Sequence, residues 1–106
     1  MQASGLAYKI AFSLLRGMNA TTAGEMLRRL GSPEEFFRLD ARSLRSRMGV
    51  KSDLADSEYR SSLLEIAVSE AEFIADNNVR SCFFTDQDYP RRLRECADAP
   101  VMLYSL

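Results

Sequence analysis

Histidine is absent from all 106 residues, and its absence excludes more than any other feature of the composition. Without an imidazole the commonest general base near neutral pH is missing, so ordinary hydrolytic triads are ruled out. Zinc meets the same shortage, since a site would have to be assembled from two thiolates, Cys82 and Cys96, and carboxylates. Two cysteines are also too few for a disulfide framework in a reducing cytosol, and both are expected as buried small hydrophobes. Long apolar runs are lacking too. Nothing here spans a bilayer, and the opening MQASGLAYK has one lysine and no signal-peptide core, so a cytoplasmic protein without a membrane partner is the expectation. Internal repeats and low-complexity linkers are absent. At this length, with 46% apolar residues, the chain can bury one core and is expected to be one domain with an appendage.

Charge is balanced in total, at −1, but divided along the chain. Residues 28–51 carry Arg28, Arg29, Arg38, Arg42, Arg45, Arg47 and Lys51 against Glu34, Glu35 and Asp40. Residues 52–79 reverse this, with Asp53, Asp56, Glu58, Glu65, Glu70, Glu72 and Asp76 facing only Arg60. The basic block suits phosphates and the acidic block repels them. The plainer alternative is two solvated helix faces that attract each other within the fold.

Apolar spacing predicts a first helix from about Leu6 to Leu15, capped by Ser4, with Leu6, Ala7, Ile10, Ala11 and Leu14 on one face. Gly17 and Asn19 interrupt it. Thr22 and Glu25 have the spacing of a capping box opening a second helix, Gly31 stands where a left-handed C-cap belongs, and Ser32-Pro33-Glu34-Glu35 is a helix start. Asp40 caps a short helix through Leu44 to Met48, stopped by Gly49. From about Leu54 to Asp76 the apolar residues Leu63, Leu64, Ala67, Val68, Ala71 and Ile74 describe one long helix, ended by Asn77-Asn78.

The tail changes period. Cys82–Thr85 and Val101–Leu106 read as short strands around a helix from Pro90 to Glu95, and strand-helix-strand is the opening of a parallel sheet. The second strand has the pattern of one buried on both faces. The expected fold is therefore mainly α: a compact helical domain over 1–78 and a β-α-β tail over 79–106 that begins a larger parallel sheet. An unfinished sheet leaves an unpaired edge, so the strand must fray, fold back over the helices or pair across a two-fold axis; a homodimer through the C-terminal strands is the expected outcome.

Two motifs are candidates for function. The segment Leu14–Ser32 resembles a helix-hairpin-helix, whose glycine turn and second-helix amides present N–H groups to a phosphate. Gly17 and Ala23 match its pattern, while Asn19 replaces the second glycine. Gly17, Asn19, Arg28, Arg42 and Arg45 are accordingly the candidate DNA contacts, and close helix crossing at Gly17 is the structural alternative. In the tail, Pro90 fixes φ at a helix start with Asp88 placed to cap it, and Tyr89 is pushed to an extended conformation that turns its ring toward the helical domain. Asp86 and Asp88 read as turn and cap chemistry rather than as a metal pair.

The tail residues in order, Asp88-Tyr89-Pro90, Leu93, Asp98-Ala99-Pro100 and Val101 to Tyr104, resemble the DNA-processing protein A family (DprA, or Smf). Gly17 and the Gly31-Ser32-Pro33-Glu34-Glu35 segment are similar to that family's N-terminal region, so the resemblance covers nearly the whole chain. It implies a bacterial protein that binds incoming single-stranded DNA during natural transformation and helps load a RecA-type recombinase, with no enzymatic activity and no cofactor, and a fold in which 1–78 is a SAM-like (sterile-alpha-motif) or helix-hairpin-helix domain and the β-α-β tail over 79–106 begins a Rossmann-like sheet. It also implies that the main DNA-binding pocket lies in a Rossmann-like part beginning at a Gly-Ser-Arg segment that this sequence does not contain. Gly31, Asp88, Tyr89, Pro90, Leu93 and Pro100 are then structural positions. Two other classes fit the residues: a stand-alone helical protein-interaction module, and the opening fragment of a Rossmann-like nucleotide-processing enzyme.

Overall fold

In the computed structural model, which describes residues 4–48, 53–96 and 98–105, short helices precede a long one and a two-stranded sheet follows. The helices are α1 (Gly5–Ser13), α2 (Ala20–Leu30), α3 (Pro33–Arg38), α4 (Ala41–Met48) and α5 (Ser57–Asp76), with a 3-10 turn at Asp53–Ala55. Strand β1 (Arg80–Phe83), the single helical turn α6 (Arg91–Arg94) and strand β2 (Met102–Ser105) complete the chain.

Each of the first five helices begins at a side-chain oxygen that accepts an otherwise orphaned amide. Ser4 takes Ala7 N–H, Ser32 takes Glu35 N–H and Asp40 takes Ser43 N–H, as the sequence predicts. Helix α2 departs from prediction. Asn19 is extended (φ −148°) and its Oδ1 accepts from Thr22 N–H at 2.9 Å, so the helix opens three residues before the expected Thr22–Glu25 box and Glu25 lies exposed. Asp56 caps α5 in the same way through Tyr59 N–H. The ends are as expected at Gly31 (φ +93°) and at Asn78 (φ +55°), while the stop at Gly49 lies outside the described residues.

The core is built where α1 crosses α5 and α3. Phe12, fully buried, meets Phe36 edge-on at 6.0 Å between centroids and Phe83 of β1 at 6.5 Å. Ile10, Phe36 and Leu44 are the other large side chains sealed from water, each contributing roughly 1.5–3 kcal/mol of hydrophobic burial. Leu14, expected on the buried face of α1, is exposed, because the helix ends at Ser13 and Leu14 is already its C-cap. The buried cluster runs on through Phe83, Phe84, Tyr89, Ala99, Val101 and Met102, so residue 78 marks a change of secondary structure rather than a break in the core.

The sheet corrects the expected topology. β1 and β2 are antiparallel, with Arg80 opposite Ser105, Ser81 opposite Tyr104, Cys82 opposite Leu103 and Phe83 opposite Met102. A parallel pair needs a crossover that carries the chain back over the sheet, usually on a full helix. Here the connection contains one helical turn, and it reverses the chain at once: Asp86 Oδ2 accepts Phe83 N–H at 2.8 Å and Phe84 N–H donates to Val101 O at 2.9 Å. Nor is β2 buried on both faces. Met102 is buried, Leu103 half-buried and Tyr104 and Ser105 exposed, so burial falls off along the strand toward its end, Met102 and Tyr104 lying on one face of it.

Candidate nucleic-acid interface

Two arginines of the basic block, Arg42 and Arg47, share a groove, while Arg45 is exposed on the same helix. On α4, Arg42 and Ser46, and Ser43 and Arg47, are each four apart, and together with Leu39 they line a shallow groove of about 450 Å³. Two guanidinium groups and two hydroxyls over an apolar floor suit phosphate contacts that do not read bases. Part of that charge is already answered. Arg47 pairs with Glu35 at 3.7 Å and Arg38 with Glu34 at 3.4 Å, the arginines exposed and the glutamates partly buried. Among the described residues no ion pair joins the α4 arginines to the acids of α5, and both sets are exposed. Asp40 at the head of α4 has its carboxyl held below the usual range by the Ser43 hydroxyl and amide, with Arg42 assisting.

Behind this surface lies a cation in the core. Arg60 is buried within α5, and its Nη1 donates to Phe36 O at 2.8 Å and Leu39 O at 2.6 Å, the carbonyls at the end of α3. Its Nε has no partner. The signal was present in the sequence, since Arg60 falls three, four and seven residues before Leu63, Leu64 and Ala67 on the apolar stripe, a position that would leave a solvated arginine unsolvated.

The hairpin residues do not join the arginines. Asn19 and Arg28 stand at opposite ends of α2, roughly 13 Å apart along the axis. Gly17 is left-handed (φ +72°), yet an added Cβ would meet nothing within 4 Å, so its role is the turn and not a close helix crossing. The amides that a helix-hairpin-helix offers to phosphate are engaged here. Ala20 N–H donates to Ala99 O at 2.8 Å, Thr22 N–H to Asn19 Oδ1, and Ala23 N–H to Asn19 O at 2.8 Å. Beside this junction Ala20, Thr21, Phe84, Thr85 and Arg94 line a second open cleft of about 390 Å³. Arg94 reaches across it, donating from Nε to Phe84 O at 3.1 Å.

The tail motif closes on itself. Tyr89 is 2% exposed, and its hydroxyl donates to Pro100 O at 2.6 Å beneath the Arg94 guanidinium. Its ring therefore fastens the two ends of the tail loop to each other, whereas the tail is held to the helices by Phe83, by Ala99 and by the Lys9–Asp86 pair at 3.9 Å. Asp88 does not cap α6: Pro90 is the N-cap residue with no side-chain bond, and Asp88 Oδ1 accepts instead from Cys82 Sγ at 3.4 Å. Leu93 is half-buried against the core and Pro100 exposed. Cys82, Asp86 and Asp88 bring donor atoms within 4.8 Å of one another, but Asp86 is committed to Phe83 N–H, and burial followed by the Asp88 hydrogen bond pushes the Cys82 thiol up, away from the thiolate a metal needs. Cys96, expected to be buried, is exposed because α6 ends at Arg94. No helix among the described residues is long and apolar enough to cross a membrane. No family model, curated protein or solved structure matches this chain.

Proposed function

We propose that this chain is the helical N-terminal part of a DNA-processing protein of the DprA type, which binds single-stranded DNA and helps load a RecA-type recombinase during natural transformation. In this reading residues 4–105 are a non-enzymatic scaffold, and a Rossmann-like part, at whose margin the β1–β2 pair would stand, supplies the principal DNA contacts. The observation that carries the reading is a single junction. Tyr89 and Pro100 of the tail motif are hydrogen-bonded to each other, and the Ala99 carbonyl between them takes the first amide of the hairpin's second helix. The two segments on which the resemblance rests are thereby one structural unit, and the hairpin amides are used for packing rather than for phosphate.

The α4 groove adds at most weak, salt-sensitive attraction for DNA, because the chain is acidic overall and Arg47 is already paired. Fluorescence anisotropy with labelled single-stranded DNA tests the assignment. The 106-residue chain should lose binding at physiological salt, while the whole protein bearing it should retain binding and load recombinase onto the strand. Sub-micromolar binding by the chain alone that survives physiological salt and is lost on Arg42→Glu with Arg45→Glu would overturn the scaffold reading. A whole protein that binds no single-stranded DNA would overturn the family reading.

A further inference from the structure

The acidic block carries something its charge does not explain. Ile66, Phe73 and Tyr104 are 51%, 58% and 49% exposed, three of the four large apolar side chains left in water among the described residues. Ile66, Glu70 and Phe73 follow one another at four and three residues, so they form one stripe two turns long on α5. Tyr104 of β2 lies within electrostatic range of Glu70: burial raises its phenol pKa and the Glu70 charge adds to this, while the Ser13 hydroxyl lowers it. Glu58, Glu65, Glu72 and Asp76 rim the other side, all exposed, and no ion pair among the described residues includes any of them. The one basic residue of α5, Arg60, is turned into the core.

An apolar stripe bordered by uncompensated carboxylates selects its occupant. Nucleic acid is repelled. A second copy related by a two-fold axis would set Glu70 and its neighbours against the same acids, and the basic helix α4 of another copy cannot supply an apolar face, since its Leu44 is 1% exposed. The complement is a helix with apolar residues at three- and four-residue spacing on one side and lysine or arginine on the flanks. We propose that this face docks a basic amphipathic helix of a partner protein, with its apolar side chains on Ile66, Phe73 and Tyr104 and its cations toward Glu65, Glu70 and Glu72.

The test uses the full 106-residue chain and three synthetic peptides of about 18 residues, five helical turns. The first is made of leucine and lysine with leucines at helical spacing, the second has the same composition with the leucines scattered, and the third has glutamate for lysine. Only the first should bind, with amide shifts in NMR centred on residues 66–73 and 104. Ile66→Ser with Phe73→Ser should weaken it by about tenfold or more, as should Glu70→Lys with Glu72→Lys, a change of about 1.4 kcal/mol. All four side chains are exposed, and thermal melts will confirm that both variants fold. Equal binding of the scattered or acidic peptide, shifts centred elsewhere, or sedimentation showing a dimer that the serine pair disperses would each overturn the proposal.

Discussion

The Tyr89 hydroxyl donates at 2.6 Å to the carbonyl of Pro100, eleven positions along the chain, and closes the loop between them around a ring that water scarcely touches. Pro100 itself is exposed, so water can replace the lost donor in Tyr89→Phe. That variant should lose only about 0.5–1 kcal/mol, whereas Tyr89→Ala empties the ring's site and should lose roughly 3–5 kcal/mol. Denaturant titration of the two variants separates hydrogen bond from packing.

The same burial gives the phenol a pH signature. It lifts the Tyr89 pKa above its ordinary 10.0, with Tyr104 moved in the same direction, so the folded chain holds these protons more tightly than the unfolded one. The resulting stabilisation is complete below pH 10.0 and is lost as pH rises through the raised values. Tyr89→Phe should therefore show a shallower alkaline fall in melting temperature than the parent. An unchanged slope would assign the fall to other groups.

At Gly31 the backbone alone sets the cost of substitution. Its φ is +93°, and a Cβ there would meet nothing within 4 Å, so Gly31→Ala adds strain without a clash. The expected loss is about 1 kcal/mol, read as a shift in denaturation midpoint with unchanged slope.

The helices were legible because their signals are local. Ser4, Ser32 and Asp40 cap, Gly31 and Asn78 stop, and the α5 stripe keeps its period. Asparagine serves both as turn and as cap, so the sequence leaves the role of Asn19 open, and its extended backbone and bond from Thr22 N–H show that α2 begins there. Strand direction was not legible: the apolar pattern of Val101–Leu106 is the same for a parallel or an antiparallel neighbour, and the deciding contacts, Asp86 to Phe83 and Tyr89 to Pro100, lie in the connection. For the candidate site, composition located the basic block but could not show that Glu34 and Glu35 lie within reach of two of its arginines.

The two thiols should differ in reactivity. Cys96 is exposed, while Cys82 is half-buried, donates to Asp88 and has its pKa raised by burial. Titration with a thiol-specific chromogenic disulfide should give one fast and one slow phase, and Cys96→Ser should abolish the fast one. Two equal rates would mean that the tail loop opens faster than the reagent attacks.

Arg60 is the strongest test of the helical core. Its guanidinium supplies both Phe36 and Leu39 carbonyls from one nitrogen, and burial is the main influence on it, lowering its pKa against the favourable charges of Asp56 and Asp40. Arg60→Met keeps much of the volume and relieves the cost of a buried charge, but it leaves two carbonyls at the end of α3 without donors, each worth about 1–3 kcal/mol when buried and unsatisfied. The net expected loss is roughly 2 kcal/mol. Arg60→Lys keeps the charge without the planar fork and should fall between Met and the parent. Denaturation midpoints for the three proteins decide it: a methionine variant as stable as the parent would show that the α3 end repacks without its donor, and that the buried cation is dispensable to the fold.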